Sequence, residues 1–306
     1  MYGDVCVLIP TLNEAETIGS VIDGLREEGL ENVLVADGHS TDETRQIARE
    51  HGADVFEQSG SGKGQAVREA VRRIDEPYVL MLDGDGTYRT EDAPNVLEPV
   101  VSGDAEHVVG DRFANMESGA MTRLNRVGNS LINRAFARIH GHDYEDILSG
   151  YRAFTRDSFE KMSLTADGFG IETEMAVECA RHNQTVRVVD IAYKPRPEDS
   201  ETNLNPVTDG ARIIYTLYRL AKTNNPLFYF GSVGGGALLL SLALGVYVAY
   251  EWFAKGVSHN VIAVAAGVAL LFGVQLIMFG VLSDLFVTLH REQLHRLEQV
   301  RERSEE

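Results

Sequence analysis

Two carboxylates spaced two residues apart, Asp83 and Asp85, close the uninterrupted apolar run Val79-Leu80-Met81-Leu82. A short run of this kind reads as a strand buried on both faces. Gly84 and Gly86 then let the chain turn tightly at its end. In an open α/β sheet, ligands bind outside the carboxyl ends of the strands. Two hard oxygen donors at that place suit Mg²⁺ or Mn²⁺, which sit on one or two carboxylates plus substrate phosphates. On these residues alone, an acidic turn that merely ends a strand is an equal alternative. A second stretch, Gly60-Ser61-Gly62-Lys63-Gly64, offers glycine backbone and one cation to a phosphate. It is not a P-loop, which needs Gly, four residues, Gly-Lys and then Ser or Thr. Glu57 stands at the first position and Gly64 follows the lysine, so a flexible surface connection explains the stretch equally well.

The elements that must position these groups alternate in type. A strand runs from Asp4 to Pro10, with Thr11 and Asn13 as candidate caps and Glu14 and Glu16 in the first turn of a helix ending near Gly29. A strand over Asn32–Ala36 ends in the polar turn Asp37–Asp42, which leads into a helix over Glu43–His51. Val55-Phe56, a helix over Gln65–Ile74 and a strand over Tyr78–Leu82 complete the series. This alternation predicts an α/β fold, a doubly wound and mostly parallel sheet with flanking helices. Further along, His107–Arg112 reads as a strand, Thr122–His140 as a helix, Glu172–His182 as a helix and Arg187–Ile191 as a strand. The Thr122–His140 helix places Leu124, Val127, Leu131, Ala135 and Ile139 along one face, with Arg123, Arg126, Arg134 and Arg138 off it. Basic residues beside an apolar stripe suit a helix at a lipid headgroup surface. A solvated face on a core-packed helix is the competing reading, and it is favoured for Arg134 and Arg138.

The net charge is −18, with 46 acidic against 28 basic residues, of which five are lysine. Such a surface repels nucleic acid and suits a protein kept soluble in concentrated salt. Any anionic substrate must then be met by local arginines. Cys6 and Cys179 are far apart and belong to no metal-binding cluster, so neither a disulfide framework nor a zinc site is expected. Asp4 comes early and the apolar stretch Val5–Ile9 is too short for a signal peptide, so the amino-terminal part is expected in the cytoplasm.

The last third changes class. Leu227–Tyr250 holds 24 residues without a charge and Val261–Ser283 holds 23, each long enough to cross a bilayer. Two such runs in succession, with Phe228, Tyr229, Phe230, Tyr247, Tyr250 and Trp252 at the ends, argue against buried globular helices. Arg212, Arg219 and Lys222 precede the pair and Arg291, Arg296, Arg301 and Arg303 follow it. That bias places both ends in the cytoplasm and the short connection, with its one Lys, outside. Gly231 and Gly235 form a Gly-x-x-x-Gly that can pack the two helices together or join a second subunit in a homo-oligomer.

Taken in order, Ile9-Pro10-Thr11-Leu12-Asn13-Glu14, Asp37-Gly-His-Ser-Thr-Asp42, Gly62-Lys63-Gly64 and Leu82-Asp83-Gly84-Asp85 resemble family 2 glycosyltransferases with the GT-A fold. More closely, the chain resembles the dolichyl-phosphate mannose and glucose synthases, in their archaeal branch, over about residues 4 to 205. The resemblance implies that Pro10, Thr11, Asn13, Glu14, Asp37, Lys63 and the turn Asp83-Gly84-Asp85 hold the nucleotide sugar. It also implies that Asp83 and Asp85 hold Mg²⁺ or Mn²⁺. Thr87 stands where the mannose synthases often carry a metal-binding Gln, so Thr87 or a water would complete the ligand set. Arg112 and Arg126 are implied as phosphate-binding arginines, for which a planar two-point fork is suited. The segment Asp146-Ile-Leu-Ser149-Gly-Tyr-Arg152 matches an element that lines the donor and acceptor pocket, and Gly168–Glu174 matches a further family segment. Without the family, Asp146 simply caps Arg152. Arg196 is the main cation of a loop where Asn203 replaces a common Lys. Asp83, Asp85, Arg112, Arg126, Asp146 and Arg196 are thus the expected catalytic set, with Arg112, Arg126, Ser149, Arg152 and Arg196 at the acceptor phosphate.

The expected organisation is a cytoplasmic catalytic domain over residues 1–205 and an amphipathic interfacial helix over 206–226. Two membrane helices over 227–289 and a charged cytoplasmic tail over 290–306 follow. The expected reaction is inverting transfer of a hexose, favoured as UDP-glucose in type, to dolichyl phosphate on the cytoplasmic leaflet. This would open lipid-linked glycan assembly for N-glycosylation of surface-layer glycoprotein. GDP-mannose as donor, or another acceptor for a family 2 enzyme, is the alternative. A non-enzymatic scaffold is disfavoured by the intact carboxylates.

Overall fold

The computed structural model describes residues 2–168, 170–196, 215, 218 and 225–305, with side chains as far as Leu289. The chain divides into two compact units, Met1–Leu217 and Tyr218–Glu306. The interfacial helix expected over 206–226 and the loop containing Asn203 lie outside the described residues, apart from single positions.

The first unit is built on a seven-stranded sheet, with strands β1 (Val5–Thr11), β2 (Val33–Asp37), β3 (Asp54–Glu57), β4 (Tyr78–Met81), β5 (His107–Met116), β6 (Arg152–Thr155) and β7 (Val186–Tyr193). Their order in the sheet is β3-β2-β1-β4-β6-β5-β7. Only β6 runs against its neighbours, pairing antiparallel with both β4 and β5. The register sets Thr11 beside Asp37 and Asp37 beside Glu57, so three adjacent strands end level. Both faces are covered, as apolar runs without polar alternation require. Val5, Val7 and Ile9 meet α1 (Ile18–Glu27) and α4 (Ala93–Val101), which contribute Ile22, Leu25, Val96 and Leu97. Cys6 and Leu8 meet the opposite layer, formed by α3 (Lys63–Val71) and α7 (Ile171–Arg181). The mostly parallel α/β architecture read from the sequence is the one found.

Three local readings change. α1 starts at Ile18, not at Glu14, because residues 13–15 are bound sideways to the turn after β2 instead of coiling. Thr11 is therefore the last residue of β1 and Asn13, at φ 57°, is not a helix cap. α4 carries Pro94 and Pro99, and β6 is four residues long. Both lie outside the sequence reading: β6 is too short to show a period, and α4, whose buried Ala93, Val96, Leu97 and Val100 keep helical spacing, is interrupted by its prolines. α2 (Thr44–Glu50), α5 (Arg123–His140) and α6 (Arg156–Glu160) complete the unit.

α5 differs from its expected packing. Its core residues are Ile132, Phe136 and Ile139, whereas Leu124, Val127 and Leu131 are 68%, 59% and 57% exposed. The predicted stripe thus divides, with its amino-terminal part facing outward. Arg123, Arg126, Arg134 and Arg138 are exposed beside it and form no ion pair among the described residues.

The second unit contains α8 (Pro226–Lys255) and α9 (Asn260–Glu305). Pro226–Lys255 and Asn260–Leu289 are long and apolar enough to cross a membrane, with mean hydropathy of 1.8 and 2.5. Only 11% of each apolar window is buried, which is far from what the core helix of a water-soluble domain would show. The two helices meet at Gly234 and Gly273, each of whose absent Cβ would lie 2.8 Å from the other's carbonyl oxygen. The hydroxyl of Ser241 donates to the Ala266 carbonyl at 2.8 Å in the same seam. Gly231 and Gly235 face open space, so the glycines singled out from the sequence do not make this contact.

Candidate active site

β4 delivers Asp83 and Asp85 to the carboxyl edge of the sheet. The turn between them is held by the Thr17 hydroxyl, which donates to the Gly84 carbonyl at 2.6 Å. A Cβ on Gly84 would lie 2.9 Å from Thr11 Cγ2, so the close approach of β1 and this turn needs glycine there. Thr87 is 3% exposed and caps Asp85: its N–H and hydroxyl donate to Asp85 Oδ1 at 3.1 and 2.6 Å. This is the part Thr87 plays. It orients Asp85 by holding Oδ1, and Oδ2 is left to Arg196. Tyr88 is buried beneath, accepts the Gly150 N–H at 2.9 Å and stacks at a tilt against Tyr151 and Tyr193.

Each aspartate faces one cation. Lys63 Nζ is bonded to Asp83 and lies 2.5 Å from Glu172 Oε1, and Arg196 is paired with Asp85. Burial works against the charge on Lys63, but Asp83 and Glu172 outweigh it and hold its pKa above the lysine range. Burial, with Asp85 and Glu172 nearby, pushes Asp83 up against the pull of Lys63. Glu14 is pushed up to about 7, first by burial and then by Asp85. The donor set is therefore two hard carboxylates whose mutual repulsion a divalent cation would relieve, which fits Mg²⁺ or Mn²⁺.

The glycine loop has a structural cause. A Cβ on Gly62 would lie 2.1 Å from the Asp167 carbonyl oxygen, and one on Gly64 2.0 Å from that of Ala166. The Gly64 and Gln65 N–H groups donate to Asp167 O at 2.9 and 3.4 Å. The Gly64 and Gln65 amides are thus engaged by backbone. Segment 165–167 is itself tied down by Glu174, which accepts the Thr165 and Ala166 N–H groups at 2.7 Å each. What the loop contributes is Lys63, aimed at Asp83.

On the other side of the turn, Asp37 is fully buried, with Oδ2 accepting the Ser40 N–H at 3.0 Å and facing Arg45 Nε at 3.6 Å. Asn13 Oδ1 accepts the Thr41 N–H at 2.8 Å, and the Asn13 and Glu14 N–H groups donate to Ser40 and Thr44 at 2.9 and 2.8 Å. Asn13 therefore fastens the loop after β1 to the loop after β2. Pro10, inside β1, pairs with Ala36. His39, at φ 70°, sets its ring nitrogens 3.1 Å from Glu57 Oε1 and 2.7 Å from Gly60 O. Both partners are acceptors, and the Gly60 carbonyl foremost raises the imidazole pKa.

The arginines divide. Asp146, fully buried, is gripped by Arg112 in two-point fashion, Nε to Oδ2 at 2.6 Å and Nη2 to Oδ1 at 2.8 Å. Asp146 thus holds Arg112 and does not cap Arg152. Arg112 also lies 5.4 Å from the Tyr193 ring centroid, so its plane is fixed on two sides. Arg152 is completely buried, donating to Ser149 O at 2.9 Å and Ile147 O at 2.7 Å and facing His107 Nε2 at 3.2 Å. It cannot reach an acceptor phosphate from there. The expectation for Arg152 is corrected to a structural role, because its donors close the turn before β6. Ser149 is likewise buried in that turn, its hydroxyl accepting the Tyr151 N–H at 3.3 Å. Among the described residues, no contact brings Arg126 to the aspartate turn. It lines a groove of about 1000 Å³ with Asp111, Val127, Leu131 and Arg134.

Glu172, Tyr88 and His39 were not read as site residues from the sequence. Glu172 carries one signal in the sequence, its place in the Gly168–Glu174 segment that matches the family. Asp111, Glu145 and Asp190 bring three carboxylates within 4.8 Å of one another, through the pairing of Asp111 with Asp190 across β5 and β7. No spacing in the sequence signals such a cross-strand cluster.

Comparison with known proteins agrees with this geometry. Residues 6–163 match Glycosyl transferase family 2. The chain is 63% identical to Glycosyltransferase AglJ of Haloferax volcanii, covering 97% of this chain and 98% of that protein. It is 35% identical to a dolichyl-phosphate hexose transferase of the same organism, over 69% of this chain and 91% of the relative. Among solved structures, glucosyl-3-phosphoglycerate synthase from Mycobacterium tuberculosis, in complex with Mn²⁺, UDP-glucose and phosphoglyceric acid, superposes with a TM-score of 0.57. That likeness, at 22% identity over 71% of this chain and 79% of the other, is one of fold. With the matched domain and the AglJ likeness along nearly its whole length, the chain belongs to glycosyl transferase family 2 and is a glycosyltransferase.

Proposed function

We propose that the enzyme transfers a hexose from a nucleotide sugar, UDP-glucose in type, to dolichyl phosphate on the cytoplasmic leaflet. This is the opening step of lipid-linked glycan assembly for N-glycosylation of surface-layer glycoprotein. The observation that carries the reading is the pair Asp83 and Asp85, each held by one cation, in a chain that also bears two apolar helices with little protein cover. The relative named as a dolichyl-phosphate hexose transferase supports the acceptor, and the Mn²⁺ and UDP-glucose of the structural neighbour support the donor.

In this reading Asp83 and Asp85 hold Mg²⁺ or Mn²⁺, which when bound supplies charge neutralisation to a leaving diphosphate. The chain's own residues do the rest. Lys63 and Arg196, now on the two aspartates, are the cations within reach of the diphosphate and the acceptor. Arg112 is pre-set by Asp146 and Tyr193, so it loses little freedom when it grips a phosphate. A lipid phosphate monoester is already anionic at neutral pH, its second pKa being about 6. One of its oxygens attacks the anomeric carbon as the bond to the nucleoside diphosphate breaks, which inverts the centre, and no general base is required. Alignment and charge placement carry the rate. The outward face of α5, with Leu124, Val127 and Leu131 beside four arginines, suits the headgroup layer from which such an acceptor is presented.

The test is to supply labelled UDP- and GDP-hexoses to membranes containing the chain and to weigh the lipid product. The expected product is a hexose joined to dolichol through one phosphate, made from the UDP-sugar and lost in Asp85→Ala. A two-phosphate bridge, or undiminished product from Asp85→Ala, overturns the proposal.

A further inference from the structure

Lys63 lies between two carboxylates that differ in their access to solvent. Its Nζ is bonded to Asp83 Oδ1 and lies 2.5 Å from Glu172 Oε1. The Asp83 side chain is 29% exposed, that of Lys63 12% and that of Glu172 5%, so a cation entering from solvent meets Asp83, and Glu172 is the covered partner. Gly150 keeps the approach open, since its absent Cβ would lie 2.6 Å from Asp83 Oδ2 and 3.1 Å from Lys63 Nζ. Both ends of the bridge are fixed in the backbone. Lys63 is the first residue of α3 and Glu172 the second of α7, and segment 165–167 ties the two helix starts together. Asp167 O accepts the Gly64 N–H, the Asp167 carboxylate accepts from Arg68 Nη2 at 2.7 Å, and Glu174 holds the segment from α7. What can move here is the lysine side chain, a flexible four-carbon stem carrying a compact charge.

We infer that Glu172 is a positioning residue, which keeps the Lys63 ammonium when Asp83 exchanges the lysine for a divalent cation. This rests on the metal and nucleotide-sugar reading above, and adds how the lysine passes from Asp83 to the diphosphate. An ammonium and a divalent cation compete for the same carboxylate oxygen and repel each other at close range. Held by Asp83 alone, Lys63 would lose its counter-charge in that exchange, and a buried charge left without a partner is costly. Glu172 is already at hydrogen-bond distance, so the ammonium leaves one partner without losing both. The two states are then matched in charge. In the first, Lys63 bridges both carboxylates, and in the second each carboxylate has a cation of its own. Kept by Glu172 beside Asp83, Lys63 still has N–H donors to offer a phosphate there, since an ammonium carries three.

The test titrates Mn²⁺ alone into the full chain in nanodiscs of zwitterionic lipid and reads free Mn²⁺ by electron paramagnetic resonance. The site scored is the one that Asp85→Ala removes. Glu172→Gln keeps the volume and removes the charge. It should weaken Mn²⁺ about tenfold, the scale seen for groups that act behind a metal ligand. Lys63→Met removes the competing ammonium and should tighten Mn²⁺ about threefold or more. In the Lys63→Met background, Glu172→Gln should change Mn²⁺ binding by less than about threefold, because no ammonium is left to keep, and the difference between the two backgrounds is the coupling. An unchanged affinity in Glu172→Gln overturns the inference. So does an equal loss with and without Lys63, which would mean that Glu172 acts on the cation directly. If Glu172→Gln does not fold, Lys63→Met decides, and an affinity no tighter than that of the unaltered chain overturns the exchange. Absence of any Mn²⁺ site that Asp85→Ala removes overturns the metal reading itself.

Discussion

Removing the Asp146 carboxylate should unfold the first unit more readily without touching any reacting atom. Asp146 is fully buried, and the Arg112 side chain it holds is 10% exposed. The two bonds at 2.6 and 2.8 Å are nearly ideal charged pairs, so Asp146→Ala leaves a guanidinium in the interior with no counter-charge. Breaking a buried pair from one side costs about 3–5 kcal/mol. For a unit of this size that lowers the melting temperature by about 10 °C. Replacing both partners, Arg112→Met with Asp146→Leu, should return stability to within about 1 kcal/mol, because well-packed apolar residues substitute for such pairs at little cost. Thermal unfolding of the parent, Arg112→Met, Asp146→Leu and the double variant in detergent, followed by circular dichroism, gives the coupling directly. A single variant as stable as the parent, or a double variant as weak as Asp146→Leu, would refute the view that Asp146 acts by holding Arg112. The double variant should remain inactive on the reading proposed above, since the guanidinium assigned there to a phosphate is gone even though the fold is restored.

Three further outcomes are expected. Thr87→Val should weaken Mn²⁺ binding about tenfold in a calorimetric titration, because Asp85 loses the hydroxyl that orients Oδ1, and an unchanged affinity would contradict that role. His107 is held neutral by burial and by Arg152, its folded pKa lying well below 6.5. The unfolded chain therefore takes up a proton that the folded one refuses as pH falls below about 6.5, and stability should drop by up to about 1.4 kcal/mol per pH unit. His107→Gln, which keeps an acceptor for Arg152, should remove that part of the slope in urea titrations at pH 5 and 6. Finally, serine at Leu124, Val127 and Leu131 together should raise the KM for a prenyl phosphate in vesicles severalfold with no change in UDP binding or melting temperature. A fall in melting temperature would instead mark the stripe as core.

The first half of the sheet was legible because β1, β2 and β4 are unbroken apolar runs, the last two leading into carboxylates, and the helices between them keep their period. Strand ends told where ligands bind, and Asp83, Asp85 and Asp37 stand at such ends. What could not be read was which groups face one another across the chain. Lys63 and Glu172 are 109 positions apart, and only the packing of segment 165–167 under the glycine loop brings them together. The pairing of Arg112 with Asp146 was likewise hidden, because Arg152 is nearer in sequence and chemically equivalent. The divided stripe of α5 failed for a different reason. Periodicity finds an apolar face, but the core and a membrane leave the same mark on a helix.

The reversed course of β6 has an architectural consequence. In a parallel sheet each strand offers the loop that follows it to the ligand edge, but an antiparallel strand offers the loop that precedes it. The turn carrying Asp146, Ser149 and Gly150 therefore arrives beside Asp83, where a Cβ on Gly150 would lie 2.6 Å from Oδ2. The excursion from β5 through α5 to this turn is thus anchored at both ends of the pocket while its middle hangs free of the nucleotide half. On the reading proposed above, such a segment can be rewritten for a new acceptor without disturbing the strands assigned to the donor.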